Sequence, residues 1–300
     1  MSNARWLSIA IAGLAAVPAT LHAQVRASEH AIVAQTVDGT TLTVEYSRPS
    51  SRGRVPVYGK VVTWGEVWTP GANWATTLEV DKDVSIDGHP LPKGKYSVWM
   101  EVQPAEWTVI LDPKAKQFHT AHPKPDSAQI RFAVTPDSVS GPELLTWSFT
   151  EVSMTGTVLR MAWAGRAVAL RVAVTPSHPL TFAPALAARY VGNYSLRWLP
   201  EDSAAAAPDS APPLETWRVT YTPDTLRMDW EVPGDSDSPY HAVLISIGTD
   251  AFYPGFVEEY GIFDAQPGLA TEFDVSDGRA TGFVIRGKND QVRAVGTRIP

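Results

Sequence analysis

The sequence predicts an all-β protein: an N-terminal β-sandwich followed by an eight-stranded up-and-down β-barrel. Three observations carry this expectation. Short runs of alternating apolar and polar residues recur along the chain, the period at which side chains alternate across a strand. Turn-forming pairs such as Pro70-Gly71, Pro223-Asp224 and Asp277-Gly278 punctuate them. Amphipathic helical patterns are scarce after residue 24.

In the first half, strands are expected at 41–47, 64–68, 75–80, 84–87, 95–102, 106–111, 130–134, 144–149, 157–163 and 167–174. About ten short strands in a stretch of this length fit a sandwich spanning residues 24–174. Residues 175–185 are rich in proline and weakly periodic, and are expected to be a linker. A short helical turn is expected at 186–189. Eight strands then follow, at 189–196, 217–222, 225–231, 240–247, 251–256, 270–275, 280–286 and 291–298, within a barrel at 186–300. The low-complexity stretch 201–213 is expected to be a flexible surface loop inside the barrel domain.

Residues 1–23 have the order of a secretory signal peptide. Arg5 comes first, an apolar run at 9–17 follows, then Pro18 and the small residue Ala23, after which cleavage is expected. The expected destination is the periplasm or the extracellular space. No later run of about 18 apolar residues is present, so no membrane insertion is expected after cleavage. The chain has no cysteine, which removes disulfides, thiolate catalysis and thiolate metal sites together. The formal net charge of −7 becomes −8 once Arg5, the one charged residue of the leader, is removed. That acidity, with no basic run, argues against nucleic acid as a partner.

One stretch, residues 64–77, concentrates chemistry. It holds Trp64, Glu66, Trp68 and Trp74, a Pro70-Gly71 turn and Asn73. If extended, Trp64, Glu66 and Trp68 share one face. The stretch reads either as a Trp-rich core with a structural Asn, or as a recognition surface of indole faces with an amide and a carboxylate. Arg48, Arg52 and Arg54 precede it. Their guanidinium groups either converge on a carboxylate or phosphate, or sit in a solvated turn. Arg48, held extended by Pro49, is the candidate partner of Glu66.

Other constellations are weaker. His119 and His122 lie near Asp126, but Pro123 and Pro125 deny them a helix, and a polar loop is the expected reading. The chain lacks Gly-x-Ser-x-Gly, Ser-x-x-Lys, phosphate-loop and dinucleotide motifs, so no cofactor is expected. The aromatic runs 252–256 and 260–263 are expected in the barrel core, although an eight-stranded barrel can hold one small apolar ligand.

Several motifs carry a resemblance. They are 46–54 (Tyr-Ser-Arg-Pro-Ser-Ser-Arg-Gly-Arg), Trp64-Gly65-Glu66-Val67-Trp68, Gly71-Ala72-Asn73, Ala75-Thr76-Thr77, Leu91-Pro92-Lys93-Gly94-Lys95-Tyr96-Ser97 and Glu106-Trp107-Thr108-Val109-Ile110. In this order they resemble a secreted bacterial family known only as domain of unknown function twenty-nine eleven, over residues 28–174. The resemblance implies fold and compartment and assigns no activity. The chain departs from the pattern twice. Trp74 stands where the family usually has Glu, and 116–119 replaces its usual Gln-Trp-Gly. More loosely, Tyr190-Val191-Gly192-Asn193-Tyr194 and the segment 277–285 resemble the lipocalin-like barrel appended to some periplasmic penicillin-binding-type serine hydrolases. The hydrolase's own Ser-x-x-Lys is missing here.

The leading expectation is a non-catalytic binding protein. Its ligand would be a glycan or other envelope component, or a small molecule, held by Arg48, Arg52, Arg54, Trp64, Glu66, Trp68, Asn73 and Trp74. The alternatives are a hydrolase using Glu66 with a nearby Arg, and a structural or protein-interaction module. Nothing in the sequence sets an oligomeric state.

Overall fold

The first hairpin shows how alternation becomes architecture. Strands β1 (Ser28–Val37) and β2 (Thr40–Pro49) pair antiparallel from Val37↔Thr40 to Ser28↔Pro49. Asp38 and Gly39 between them both take positive φ, 43° and 70°. That is the mirror-turn geometry whose twist matches two right-twisted strands. Along β2, Leu42, Val44 and Tyr46 point into the core while Thr43 and Glu45 point out.

The structure is a computed structural model and describes residues 27–199, 214–232, 234–258 and 261–300. The expected signal segment at 1–23 and the expected loop at 201–213 lie outside the described residues. After β2 come β3 (Val67–Trp68), β4 (Thr77–Val80), β5 (Val84–Ile86), β6 (His89–Leu91), β7 (Gly94–Glu101), β8 (Trp107–Asp112) and β9 (Ile130–Val134). The first half closes with β10 (Asp137–Ser138), β11 (Thr146–Thr150), β12 (Gly156–Trp163) and β13 (Arg166–Val174).

These strands form two sheets. One runs β1-β2-β4-β7-β8-β9 with β3 on β7, and the other runs β11-β12-β13-β5-β6 with β10 on β13. Leu42, Val44, Leu78, Val98 and Val109 of the first meet Ile86, Leu159, Met161, Leu170 and Val172 of the second in one buried cluster. Each such side chain contributes about 1.5–3 kcal/mol by leaving water. Trp147 N donates to Tyr46 Oη (3.1 Å) across the sandwich.

Two expectations are corrected here. Strands β1, β6 and β10 are additional to those expected. Residues 64–66 are not strand, because Gly65 turns with φ 81°. Trp64, Glu66 and Trp68 therefore do not share a strand face.

The second half begins with the short helix α1 (Pro184–Ala187), started by a proline whose missing N–H costs nothing in a first turn. Then follow β14 (Gly192–Trp198), β15 (Glu215–Thr222), β16 (Thr225–Glu231), β17 (Tyr240–Gly248), β18 (Ala251–Glu258), β19 (Gly261–Ala265), β20 (Ala270–Ser276), β21 (Arg279–Arg286) and β22 (Val292–Ile299). The order β17-β16-β15-β14-β22-β21-β20-β18 closes through β17–β18 pairing, and β19 hangs from β18. This is an eight-stranded antiparallel barrel, closed so that its strands leave no open edge.

Aromatic rings fill the described interior. Tyr190 meets Phe273 at 5.0 Å, Tyr194 meets Phe283 at 5.2 Å, and Phe252 meets Phe273 at 5.7 Å. Eight strands leave an interior just wide enough for side chains, and here rings take that space. The chain between the two cores touches both. Ser177 Oγ donates to Asp38 Oδ1 (2.7 Å) in the first hairpin, and His178 stands edge-on to Tyr253 of the barrel at 5.9 Å.

Candidate functional site

Residues 69–77 leave the first sheet and return as a buried knot. Thr69 Oγ1 donates to Val98 O (2.9 Å) and accepts from Thr76 N (3.0 Å). Thr76 Oγ1 donates to Pro70 O (2.8 Å), which also accepts from Trp147 Nε1 (3.1 Å). The left-handed residue of this turn is Asn73, with φ 63°, and not Gly71. Asn tolerates the left-handed region better than most residues. Asn73 Nδ2 is held by Ser47 Oγ (3.3 Å) and Ser28 O (3.4 Å).

The next residue, Trp74, is 55% exposed. A loop after β8 pairs with this turn: Ala75 N donates to Gln117 O (2.9 Å) and His119 N to Asn73 O (2.9 Å). The pairing sets Phe118 edge-on to Trp74 at 5.5 Å and Lys116 Nζ 5.4 Å from the Trp74 ring centroid. Beneath it, Trp99 and Ile110 are fully buried with Ala75 in a small second core on the outer face of the sheet.

Between β1 and this loop lies a cleft of ≈460 Å³. Its floor is the outward set of strand positions, His30, Glu45, Ser47, Thr77 and Lys95, and its wall is Asn73, Trp74 and Lys116. The register places Glu45 opposite Thr77 and His30 opposite Ser47. Glu45 bridges Lys95 Nζ (3.0 Å) and His30 Nε2 (3.1 Å), and Lys95 also reaches Glu79 (3.6 Å). The hydrogen bond from Lys95, then that from His30, holds the Glu45 carboxyl below its ordinary range. The bond to Glu45 raises Lys95 in turn. These groups are half-exposed, so the network orients the floor more than it stabilises the fold. Thr77 Oγ1 is buried without a hydrogen-bond partner among the described residues.

The other candidate residues lie elsewhere. Trp64, 39% exposed, covers Gly59, where an added Cβ would sit 2.4 Å from the indole Nε1. Trp68 stacks on Trp163 at 5.9 Å with Tyr58 edge-on at 6.2 Å, against the main core. Glu66 accepts from Thr63 N (3.4 Å) and lies 3.9 Å from His122 Nδ1, which donates to Val67 O (2.6 Å). No cluster able to hold a metal ion occurs among the described residues.

The arginines do not converge. Arg48 donates to Leu145 O (3.2 Å) and Thr146 Oγ1 (2.9 Å), so it pins β2 to the opposite sheet and does not pair with Glu66. Arg52 donates to Ala27 O (3.0 Å), and Arg54 to Ser51 O and Ser50 O (both 2.8 Å). The physical reason is local: backbone carbonyls within reach satisfy each guanidinium, leaving none aimed at a shared point.

An unforeseen carboxylate closes this loop. Glu143 accepts from Ser50 Oγ (2.6 Å), Ser51 Oγ (2.5 Å) and Arg52 N (2.5 Å). The serine bonds, with that of the Arg52 amide and the field of Arg54, hold its carboxyl below the ordinary value of 4.5. A carboxyl depressed in the folded state contributes stability above its unfolded pKa and loses it as pH falls through the folded one. Amide exchange in residues 50–54 is therefore expected to accelerate as pH drops below the ordinary glutamate range, after correction for intrinsic rates. Glu143→Gln is expected to abolish that dependence. An unchanged profile in the variant would contradict this.

Asn73 and Trp74 thus meet at the cleft, joined by His30, Glu45, Lys95 and Lys116, which sequence reasoning did not select. Their signal was the polar phase of the strand alternation around 45 and 95, visible only once the register is known. Residues 28–172 match the model of the family described as "Protein of unknown function (DUF2911)". The match covers the sandwich and ends before the barrel. No curated protein and no solved structure matches the chain.

Proposed function

We propose, for a chain whose residues 28–172 match the model of that family of unknown function, that the sandwich is a non-catalytic saccharide-binding module. The ligand would be a glycan of the cell envelope, met after export directed by residues 1–23. The observation that carries the reading is the exposed indole of Trp74 at the rim of a ≈460 Å³ cleft floored by hydrogen-bonding groups. A sugar ring has an apolar C–H face and a polar edge. It can stack on an indole while its hydroxyls bond to groups such as Asn73, Ser47 and Glu45. The volume is in the range of small-ligand pockets.

Binding is favoured over hydrolysis by the placement of Glu66. It is held by Thr63 and His122, while Arg48, Arg52 and Arg54 are bonded to other partners. A hydrolytic pair would need convergent groups at one point. The aromatic filling of the barrel supports a packing role for the second half.

The test is calorimetric titration of envelope oligosaccharides into wild type and Trp74→Ala. Losing the stacking face is expected to weaken binding by about tenfold, near the top of the roughly 0.5–1.5 kcal/mol of an aromatic contact. Trp74 is exposed, so the variant is expected to keep its circular dichroism spectrum. Unchanged affinity in the folded variant would sink the proposal.

A further inference from the structure

We infer that the saccharide taken by this cleft is acidic, with a uronate-type carboxylate held by Lys116 while the ring lies on Trp74. The inference rests on the saccharide reading above and names its ligand class.

The first support is charge. The lining contains one carboxylate, Glu45, against two ammonium groups, Lys95 and Lys116. Lys95 is balanced by Glu45 and by Glu79 beside the lining, so the positive charge the cleft offers a ligand is that of Lys116, in a chain whose formal net charge is −7. A local patch opposite in sign to the whole molecule selects its ligand by charge.

The second support is the difference between the two lysines. Lys95 is engaged by Glu45 at 3.0 Å and Glu79 at 3.6 Å. Lys116 pairs with no carboxylate among the described residues, and its described contact is the Trp74 ring at 5.4 Å. An exposed ammonium is held only weakly over an indole face and stays open to a stronger partner. A bound carboxylate would add an opposite charge without breaking an existing ion pair.

The third support is position. The ammonium stands over the same indole that would carry the sugar ring. A carboxylate borne directly on that ring can reach Lys116 without a long spacer. A carboxylate fits better than a phosphate dianion. One free ammonium balances one charge, and an excess negative charge would face Glu45. Nor does a guanidinium fork line the cleft.

The experiment titrates the full chain with oligogalacturonate and oligoglucuronate trisaccharides and with their fully methyl-esterified forms. Acid and ester share rings and differ in charge. Wild type, Lys116→Met and Trp74→Ala are compared at low and moderate salt. Lys116 is exposed, so its replacement is expected to leave the fold intact.

Wild type is expected to bind at least one acid about tenfold tighter than its ester, with the advantage shrinking as salt screens the charges. Lys116→Met should erase that advantage and leave ester affinity in place. Trp74→Ala should weaken both forms. Equal affinity for acid and ester, still weakened by Trp74→Ala, would overturn the acidic ligand and leave the saccharide site standing. An acid preference that survives Lys116→Met would overturn the assignment to Lys116. Absence of binding by every form would overturn the acidic ligand, and binding indifferent to Trp74→Ala would overturn both readings.

Discussion

Arg298→Met is expected to unfold the barrel at a much lower temperature while leaving the sandwich transition nearly in place. Arg298 closes one end of the barrel. Its Nη1 donates to Val191 O (2.9 Å), its Nη2 to Tyr194 Oη (2.8 Å) and Arg189 O (3.3 Å), and its Nε to Ala280 O. Its guanidinium also lies 5.0 Å from the Tyr194 ring centroid. These carbonyls end the segment that enters β14 and start β21. Truncating the donor strands several half-buried acceptors at once. Charge-assisted bonds of this kind contribute about 1.5–3 kcal/mol each, and lost acceptors add desolvation costs. A total loss of about 3–5 kcal/mol is expected, which lowers the midpoint of a domain this size by more than about 10 °C. Arg298→Lys should recover little of it, because one ammonium cannot reach acceptors spread around a planar fork. The two cores are separate clusters, so scanning calorimetry should show one transition move and the other hold. A single transition shifted by less than about 2 °C would contradict this account of the barrel's end.

Gly71→Ala is expected to destabilise the sandwich strongly for a change of one methyl group. Its φ is not in the left-handed region, so backbone freedom is not the reason for glycine here. Space is the reason. A Cβ at position 71 would lie 2.4 Å from Thr76 Oγ1 and 3.5 Å from Ser47 O. Thr76 is fully buried, and its hydroxyl is committed to Pro70 O. It cannot swing aside without breaking that bond and disturbing the Trp147 bond to the same carbonyl. Overpacking of this kind costs about 1–3 kcal/mol, and a lost buried hydrogen bond about 1 more. Denaturant unfolding should therefore show a loss of about 2–4 kcal/mol. A double-mutant cycle identifies the cause. Thr76→Ala removes the clashing oxygen, so the pair Gly71→Ala, Thr76→Ala should be less destabilised than the sum of the singles. Strict additivity would show that the clash is not with Thr76.

The barrel was readable in advance because two local signals coincide there. Period-two runs end on turn pairs whose conformation the structure confirms, as at Asp277 and Gly278, with φ 52° and 74°. Strand β1 lacked the first signal. Its outward residues include Ile32, 62% exposed, and Ala34, so both faces look apolar and the alternation vanishes. The Asp38-Gly39 pair was its remaining trace. Residues 64–68 misled in the opposite way. Their alternation suggested a face, but Gly65 breaks the strand and sends Trp64 and Trp68 to different neighbours.

The site was legible only where a residue was odd in its own context. Asn73 and Trp74 stood out beside a turn. His30, Glu45 and Lys95 are ordinary outward strand residues, and only pairing across β1, β2, β4 and β7 gathers them. Lys116 arrives on a loop that pairs with the Asn73 turn. Trp74 and the 116–119 loop prove to be neighbours, with Trp74 bridged to Phe118 and Lys116 set over its ring. Far apart in sequence, they carried no sign of that contact.

The most direct test of the central claim is a two-dimensional NMR titration that follows the indole N–H resonances. The Trp74 signal is assigned by its disappearance in Trp74→Phe, and acidic and neutral envelope oligosaccharides are added. The account predicts that the Trp74 indole shifts with saturable dependence, while those of Trp68 and Trp163, stacked on each other in the sandwich, stay fixed. A Trp74 resonance unmoved by every saccharide, or shifts confined to barrel indoles, would contradict it.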